Sequence, residues 1–304
     1  MKRKEAGVRS TQQKVSNRGK ERGLSRDDAL TAYAMDRLLY RLGRSSQTSE
    51  FFLKGGLLIA NLLNSPHRFT RDIDLLRSHG PTDPDEIRGR FREIVSVKLE
   101  DGIVFDPDGV RAVKTERNID EYDGVKVFVR ASIGDTELEV RIDIGFGDDV
   151  VPPVHRVKIT PFLSDDPPAQ VLAYAAAPVI AEKVETLISK FPAIQHRLKD
   201  ILDVMVLSNT QSFDGLELAA ALRATFERRG TRADTGVLRE MKATLVGRKW
   251  ETGWSAMLKD KAVQHPPQLA DALLAFERFI SPILTSLNGG KVPSFWQAGG
   301  PWDI

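Results

Sequence analysis

Lys54-Gly55-Gly56 and Thr70-Arg71-Asp72-Ile73-Asp74-Leu75 are the two segments whose joint reading decides the fold of this chain. Phe51 to Lys54 is a short strand-like run, Leu57 to Leu63 has helical character, and Phe69 to Leu76 reads as a second strand. A Gly-Gly step between a strand and a helix leaves backbone N–H groups open to an anion at the positive end of the helix dipole. Side chains alternate along a strand, so Asp72 and Asp74 share one face while Ile73 points into the core. Two carboxylates on one strand face are a hard-oxygen pair suited to Mg²⁺, which takes one or two carboxylates together with substrate phosphates. A lone Asp-x-Asp at a strand end is usually a solvated acidic pair. The upstream Gly-Gly, with a helix between, raises it above that background.

Outward from this core, the N-terminal half reads as mixed α/β. Ser25 with Asp27 and Asp28 starts a helix whose apolar positions run from Ala29 to Leu42, and Gly43 is expected to end it. Pro84 to Leu99 is a helix with proline near its start. Strands are expected at Arg111–Thr115, Val125–Ile133, Leu138–Ile144 and, at an edge, Val154–Thr160. Along the second, Val125, Val127 and Val129 alternate with Lys126, Phe128 and Arg130. The third sets Leu138, Val140, Ile142 and Ile144 against Glu139, Arg141 and Asp143. Asp143 is therefore an acid on a central strand and needs a partner. A metal shared with Asp72 and Asp74 supplies one; a salt bridge to Arg141 or Lys126 is the competing reading.

From Ala169 the apolar spacing becomes helical, with candidates at 179–191, 196–208, 214–229, 234–246 and 267–287. The expected organisation is a basic flexible arm at 1–22, an α/β domain at 23–168, a helical domain at 169–287, and a Gly/Pro-containing tail at 288–304 laid over the surface.

Composition narrows the function classes. At 304 residues and 41% hydrophobic, the chain can bury a full core without disulfide staples. It has no cysteine, which removes thiol nucleophiles, iron–sulfur ligation and cysteine zinc sites. The five histidines are scattered without zinc spacing, and neither a phosphate loop of the Gly-x-x-x-x-Gly-Lys type nor a Gly-x-Ser-x-Gly elbow is present. Residues 1–22 have no apolar core of a secretory signal, and the longest apolar stretch, Val171–Ala181, is too short to span a bilayer. A cytoplasmic location without membrane contact is expected.

The net charge of +2 conceals an asymmetry. Residues 1–22 carry eight basic side chains against two acids, and Arg223–Lys261 carries ten against five. These windows hold +6 and +5, leaving −9 for the rest. Both windows suit phosphate contacts, with Trp250 and Trp254 as candidates for stacking on a base. Solvated helix faces and core tryptophans explain the same residues.

Lys54-Gly55-Gly56, Arg68, Thr70 through Leu75, Glu182-Lys183-Val184 and Lys199-Asp200-Ile201-Leu202-Asp203 together resemble the AbiEii/AbiGii-type nucleotidyltransferase toxins. These are the toxin halves of type IV toxin–antitoxin systems, within the DNA polymerase β-like nucleotidyltransferase superfamily. The resemblance spans about residues 50–210, and Leu57 departs from the small residue usual after the second glycine. It implies an α+β fold: a polymerase β-like mixed sheet with flanking helices, followed by a mostly helical C-terminal domain.

The resemblance also implies roles. Asp72, Asp74 and Asp143 would hold Mg²⁺, as two ions, for transfer of a nucleotide from a nucleoside triphosphate. Lys54, Gly55, Gly56, Thr70, Lys183 and Asp200 would serve the nucleotide, with Thr70 touching phosphate or buttressing the acids. Lys183, at the margin of the Ile180, Val184, Leu187, Ile188 and Phe191 stripe, can extend its ammonium into a cleft and neutralise triphosphate charge. A surface pairing with Glu182 or Glu185 is the alternative for Lys183. Asp203 is the preferred catalytic acid of its motif, against a plain i, i+4 pair with Lys199. Some family members add nucleotides to tRNA 3′ ends, so tRNA is the expected acceptor and an antitoxin encoded nearby the expected partner. A transferase acting on a protein or small molecule, or a catalytically silent nucleic-acid-binding regulator, remains open.

Overall fold

The computed structural model describes residues 2–63, 69–115, 124–147, 150–261, 263 and 265–303. Arg68, part of the resembling motif, lies outside the described residues. The chain divides into two units: Met1–Asp149 with His155–Ala173, and Val150–Val154 with Tyr174–Ile304.

The first unit runs α1 (Lys2–Glu21), α2 (Arg26–Arg44), β1 (Phe52–Lys54), α3 (Gly55–Leu62), β2 (Asp72–Arg77), α4 (Pro84–Val95), β3 (Val104–Phe105), β4 (Arg111–Lys114), β5 (Gly124–Ile133), β6 (Thr136–Phe146), β7 (His155–Ile159) and β8 (Ala169–Ala173). Its mixed sheet has the order β3-β5-β6-β2-β1-β8-β7, with β4 also paired to β5. β1 runs antiparallel to β2 and parallel to β8, while β2 runs parallel to β6. With its flanking helices it has the expected α+β character. β2 and β6 are interior strands, so the acids they carry stand over the middle of the sheet.

Local sequence explains the helices that cover it. Ser25 caps α2 by accepting from the Asp28 N–H at 3.1 Å and donates its hydroxyl to the Asp28 carboxylate at 2.8 Å. Asp83 caps α4 ahead of Pro84, and the Ser96 hydroxyl donates to the Arg92 carbonyl and closes it short of Leu99. Gly43 does not end α2, which continues to Arg44. Its role is close approach: a Cβ there would lie 2.4 Å from the Gln170 carbonyl oxygen of β8.

The expected flexible arm is corrected over residues 11–21, which belong to α1 and pack. Val15 is fully buried, and a Cβ at Gly19 would meet the Ala29 Cβ at 2.4 Å, so α1 lies directly against α2. Val15 and Gly19 are i, i+4 neighbours on one side of the helix. One apolar residue and one glycine are enough for contact despite the surrounding charge.

The second unit contains α5 (Ala176–Lys190), a 3₁₀ turn (Gln195–Arg197), α6 (Leu198–Thr210), β9 (Phe213–Asp214), α7 (Gly215–Arg229), α8 (Gly236–Thr244), α9 (Arg248–Asp260), α10 (Leu269–Leu287), β10 (Phe295–Trp296) and β11 (Trp302–Asp303). Pro178 sits in the first turn of α5, where a missing N–H breaks no helical bond. Gly230 closes α7 at φ +65°.

Three expectations change. Ala169–Ala173 is a strand, so the helical region starts later. α9 stands where no helix was expected. The C-terminal tail is not merely laid over the surface. β10 and β11 form a small sheet with β9, burying Trp296 and Trp302 around Phe279. Their indoles donate to the Ser208 and Phe279 carbonyls at 2.6 and 2.8 Å.

Candidate active site

β2 begins at the site. Its exposure alternates, with Asp72 and Asp74 half-buried and Ile73 and Leu75 buried, so both acids project from one face. β6 alternates in the same way, with Asp143 half-buried between buried Ile142 and Ile144. The parallel register pairs Asp74 directly with Asp143. As a result, ligand oxygens of Asp72, Asp74 and Asp143 lie within 4.8 Å of one another.

The neighbouring residues hold this cluster. The Thr70 hydroxyl, itself buried, donates to Asp72 Oδ1. Gly55 has φ +65°, and a Cβ there would fall 1.9 Å from Asp74 Oδ2. Only glycine satisfies both the backbone angle and the carboxylate. The Gly56 N–H donates to the same oxygen at 3.3 Å. The Gly-Gly step thus grips an acid of the cluster as well as opening the start of α3. Lys54 faces Asp74 in register, and its Nζ lies 3.8 Å from where a Cβ on Gly145 would stand. Of the proposed salt-bridge partners for Asp143, Lys126 stands opposite it and Arg141 stands opposite Asp72.

Three half-buried carboxylates within 4.8 Å are an oxygen donor set that fits a divalent metal. Their exposure leaves oxygen lone pairs accessible to a metal's waters and to substrate oxygens.

The second unit carries the other motif residues. The Lys183 ammonium lies 2.5 Å from Asp200 Oδ1 and 2.7 Å from Asp203 Oδ2. Both acids are buried, Asp203 completely. Neither the surface pairing of Lys183 with Glu182 or Glu185 nor a solvated Lys199–Asp203 pair describes this arrangement.

Glu185 is fully buried on α5 and takes Arg229 Nη1 together with the Thr231 hydroxyl, the latter at 2.5 Å. Tyr174 donates to Glu182 at 3.2 Å, and burial, with the Glu182 charge adding to it, pushes its phenol well above the usual range. The sequence reading missed this network. Its signal was Glu185 inside the apolar stripe of α5, a position that demands a buried partner. Arg229, expected as a phosphate contact, is that partner. Trp254 is also removed from the proposed base-stacking pair, being buried with its indole donating to the Pro267 carbonyl at 2.8 Å.

The family model of the nucleotidyl transferase AbiEii toxin of type IV toxin–antitoxin systems matches residues 37–280. The chain belongs to this family and is a nucleotidyltransferase; the family implies a nucleoside triphosphate substrate and an antitoxin partner. Among solved structures, the chain is similar to MenT4, a nucleotidyltransferase toxin of Mycobacterium tuberculosis. Identity is 17%, with 90% of this chain and 89% of that one covered at a TM-score of 0.54. It is also similar to JHP933 of Helicobacter pylori, at 14% identity, covering 86% and 93% at a TM-score of 0.47. No curated protein sequence matches the chain. Among the described residues, no helix is long and apolar enough to cross a membrane.

Proposed function

We propose that the chain transfers a nucleoside monophosphate from a nucleoside triphosphate to the 3′ end of a tRNA, with Mg²⁺, and so blocks translation in the cytoplasm. The observation that carries the chemistry is the cluster of Asp72, Asp74 and Asp143 oxygens within 4.8 Å. In this reading the acceptor hydroxyl forms a bond to the α-phosphorus as the bond to pyrophosphate breaks. The three aspartates hold the metal, and Thr70 keeps Asp72 oriented. A metal bound there supplies activation of the attacking hydroxyl and charge neutralisation for pyrophosphate. Lys54 and the Gly55-Gly56 backbone receive the phosphates. In the second unit, Asp200 and Asp203 fix the Lys183 ammonium. Positioning and charge neutralisation are the main requirements of phosphoryl-type transfer.

The acceptor is argued from surface charge. Arg223, Arg232, Arg239, Arg248, Lys249 and Lys259 are exposed, and none forms an ion pair among the described residues. Exposed cations on a chain with an acidic remainder support a polyanionic acceptor.

Incubation with each labelled nucleoside triphosphate, Mg²⁺ and total tRNA tests the proposal. Label on the tRNA 3′ end, abolished by Asp72→Ala and by a chelator, is the expected result. Label on protein alone would redirect the acceptor to a polypeptide. Absence of label with every nucleotide and acceptor would overturn the proposal.

A further inference from the structure

Each candidate metal-ligating carboxylate stands opposite a cation on a neighbouring strand. Lys54 of β1 faces Asp74, Lys126 of β5 faces Asp143, and Arg141 of β6 faces Asp72. Buried residues flank them along their strands: Leu53, Ile73 and Leu75, Val125 and Val127, and Val140, Ile142 and Ile144. The strand period of two therefore puts all six charged side chains on one sheet face. Directly opposed residues on one face have Cβ atoms about 5 Å apart, close enough for charge pairing. Lys54 reaches further, its ammonium lying over Gly145 of β6, two strands from its own backbone.

These six groups are three negative and three positive, so the set is neutral. A bare divalent cation must compete with the lysines for the same carboxylate oxygens. A nucleoside triphosphate changes that competition, because its phosphate oxygens offer the cations another anion.

We propose that Lys126, with Lys54 and Arg141, acts as a built-in counter-cation: it holds the aspartates while nucleotide is absent and turns to phosphate when nucleotide binds. Metal and nucleotide then bind with positive coupling, each raising the affinity for the other by the same factor. Lys126 is a positioning residue for the metal ligands in the first state and a phosphate contact in the second. The inference rests on the nucleotidyl-transfer reading of this face.

The test uses the full chain and two direct binding measurements, neither of them turnover. Mn²⁺ affinity without nucleotide is read from the paramagnetic resonance of the free ion. Affinity for the four non-transferable α,β-methylene nucleoside triphosphates is read by equilibrium dialysis in chelator. Lys126→Met is expected to tighten Mn²⁺ at least about fivefold and to weaken metal-free nucleotide binding at least about fivefold, the lower end of typical coupling. Opposite signs on the two ligands are not produced by simple loss of structure. Lys126→Gln, with a thermal melt of each variant, guards against misfolding.

Both affinities falling together, or neither changing, would overturn the role of Lys126. Wild-type protein that binds Mn²⁺ equally well with and without nucleotide would overturn the coupling while leaving the transfer reading intact. Wild-type protein that binds neither ligand under any condition would overturn the transfer reading, and this inference with it.

Discussion

Asp72, Asp74 and Asp143 sit half-buried on a sheet face, each opposite a cation on the next strand. Asp200 and Asp203, in the other unit, are 3% and 0% exposed and share the Lys183 ammonium. Both are acid clusters flanked by lysine, but burial separates their uses. A half-buried carboxylate keeps solvent on part of its oxygens and can exchange partners at modest cost. A fully buried one must be matched internally, because an unpaired charge in the interior is expensive. The first cluster is suited to ligands that come and go, and the second to holding one lysine in one position.

The largest effect that separates them is on turnover. Asp74→Asn keeps the size of the side chain and a weaker acceptor for the Gly56 N–H, but removes a charge from the cluster. Nucleotidyl transfer is expected to fall by at least about a thousandfold, since a metal's charge stabilisation is worth several kcal/mol. The melting temperature should stay within a few degrees, because a partly exposed acid contributes little to stability. A labelled-transfer assay beside a thermal melt reads both. Retained activity would remove Asp74 from the catalytic cluster.

Lys183→Met makes the opposite case. It leaves Asp200 and Asp203 buried beside each other without their shared ammonium. Breaking a buried charge pair from one side costs about 3–5 kcal/mol, or roughly a 10 °C drop in melting temperature for a chain of this size. Adding Asp200→Asn and Asp203→Asn to Lys183→Met should recover part of that loss. An unchanged melt for the single variant would show that the second cluster is not held by this charge balance.

Thr70→Val probes the support of the first cluster. The hydroxyl that donates to Asp72 is lost while the shape is kept. A hydrogen bond to a charged group contributes about 1.5–3 kcal/mol, so a loss of about tenfold or more in kcat is expected, with Thr70→Ser restoring most of it. Equal activity of the valine and threonine forms would show that Asp72 orients itself.

The same contrast explains what was legible in the sequence. Asp72, Asp74 and Asp143 were readable because strand alternation is local, and buried residues on either side mark the opposite face. The pairing of Asp74 with Asp143 was not, because parallel strands far apart in sequence have no local rule that sets their register. The same holds for Arg141, which stands opposite Asp72 only in that register; Lys126, opposite Asp143 in the β5–β6 hairpin, was a partner the sequence could name. Gly43 was misread as a helix stop because its purpose, room for Gln170, lies 127 residues away. The tail was misread because Trp296 and Trp302 owe their burial to Phe213 and Phe279 rather than to any periodicity of their own. Arg229 has no local signal that separates it from a surface cation, because its partner Glu185 lies on a different helix.

Asp36 tests whether burial, rather than the unit a residue belongs to, makes the difference. It lies in the first unit, on α2, and is 5% exposed. Its Oδ2 accepts from Arg37 at 2.9 Å and from the Phe162 N–H at 3.0 Å, while Oδ1 has no hydrogen-bond partner. Burial pushes its carboxyl up to about 6, opposed by Arg37 and assisted by the nearby Asp166 charge. The folded chain therefore takes up a proton near pH 6, whereas the unfolded chain does so only near the ordinary value of 3.8. Stability from this group is fully present below the ordinary value and is lost as the pH rises through about 6. Asp36→Asn abolishes that dependence. Urea unfolding of both proteins should show wild type gaining on the variant as the pH falls from 7 to 4. A difference that stays flat, or moves the other way, would mean that Arg37 compensates the buried charge in full, and that burial alone does not divide the acids of this chain.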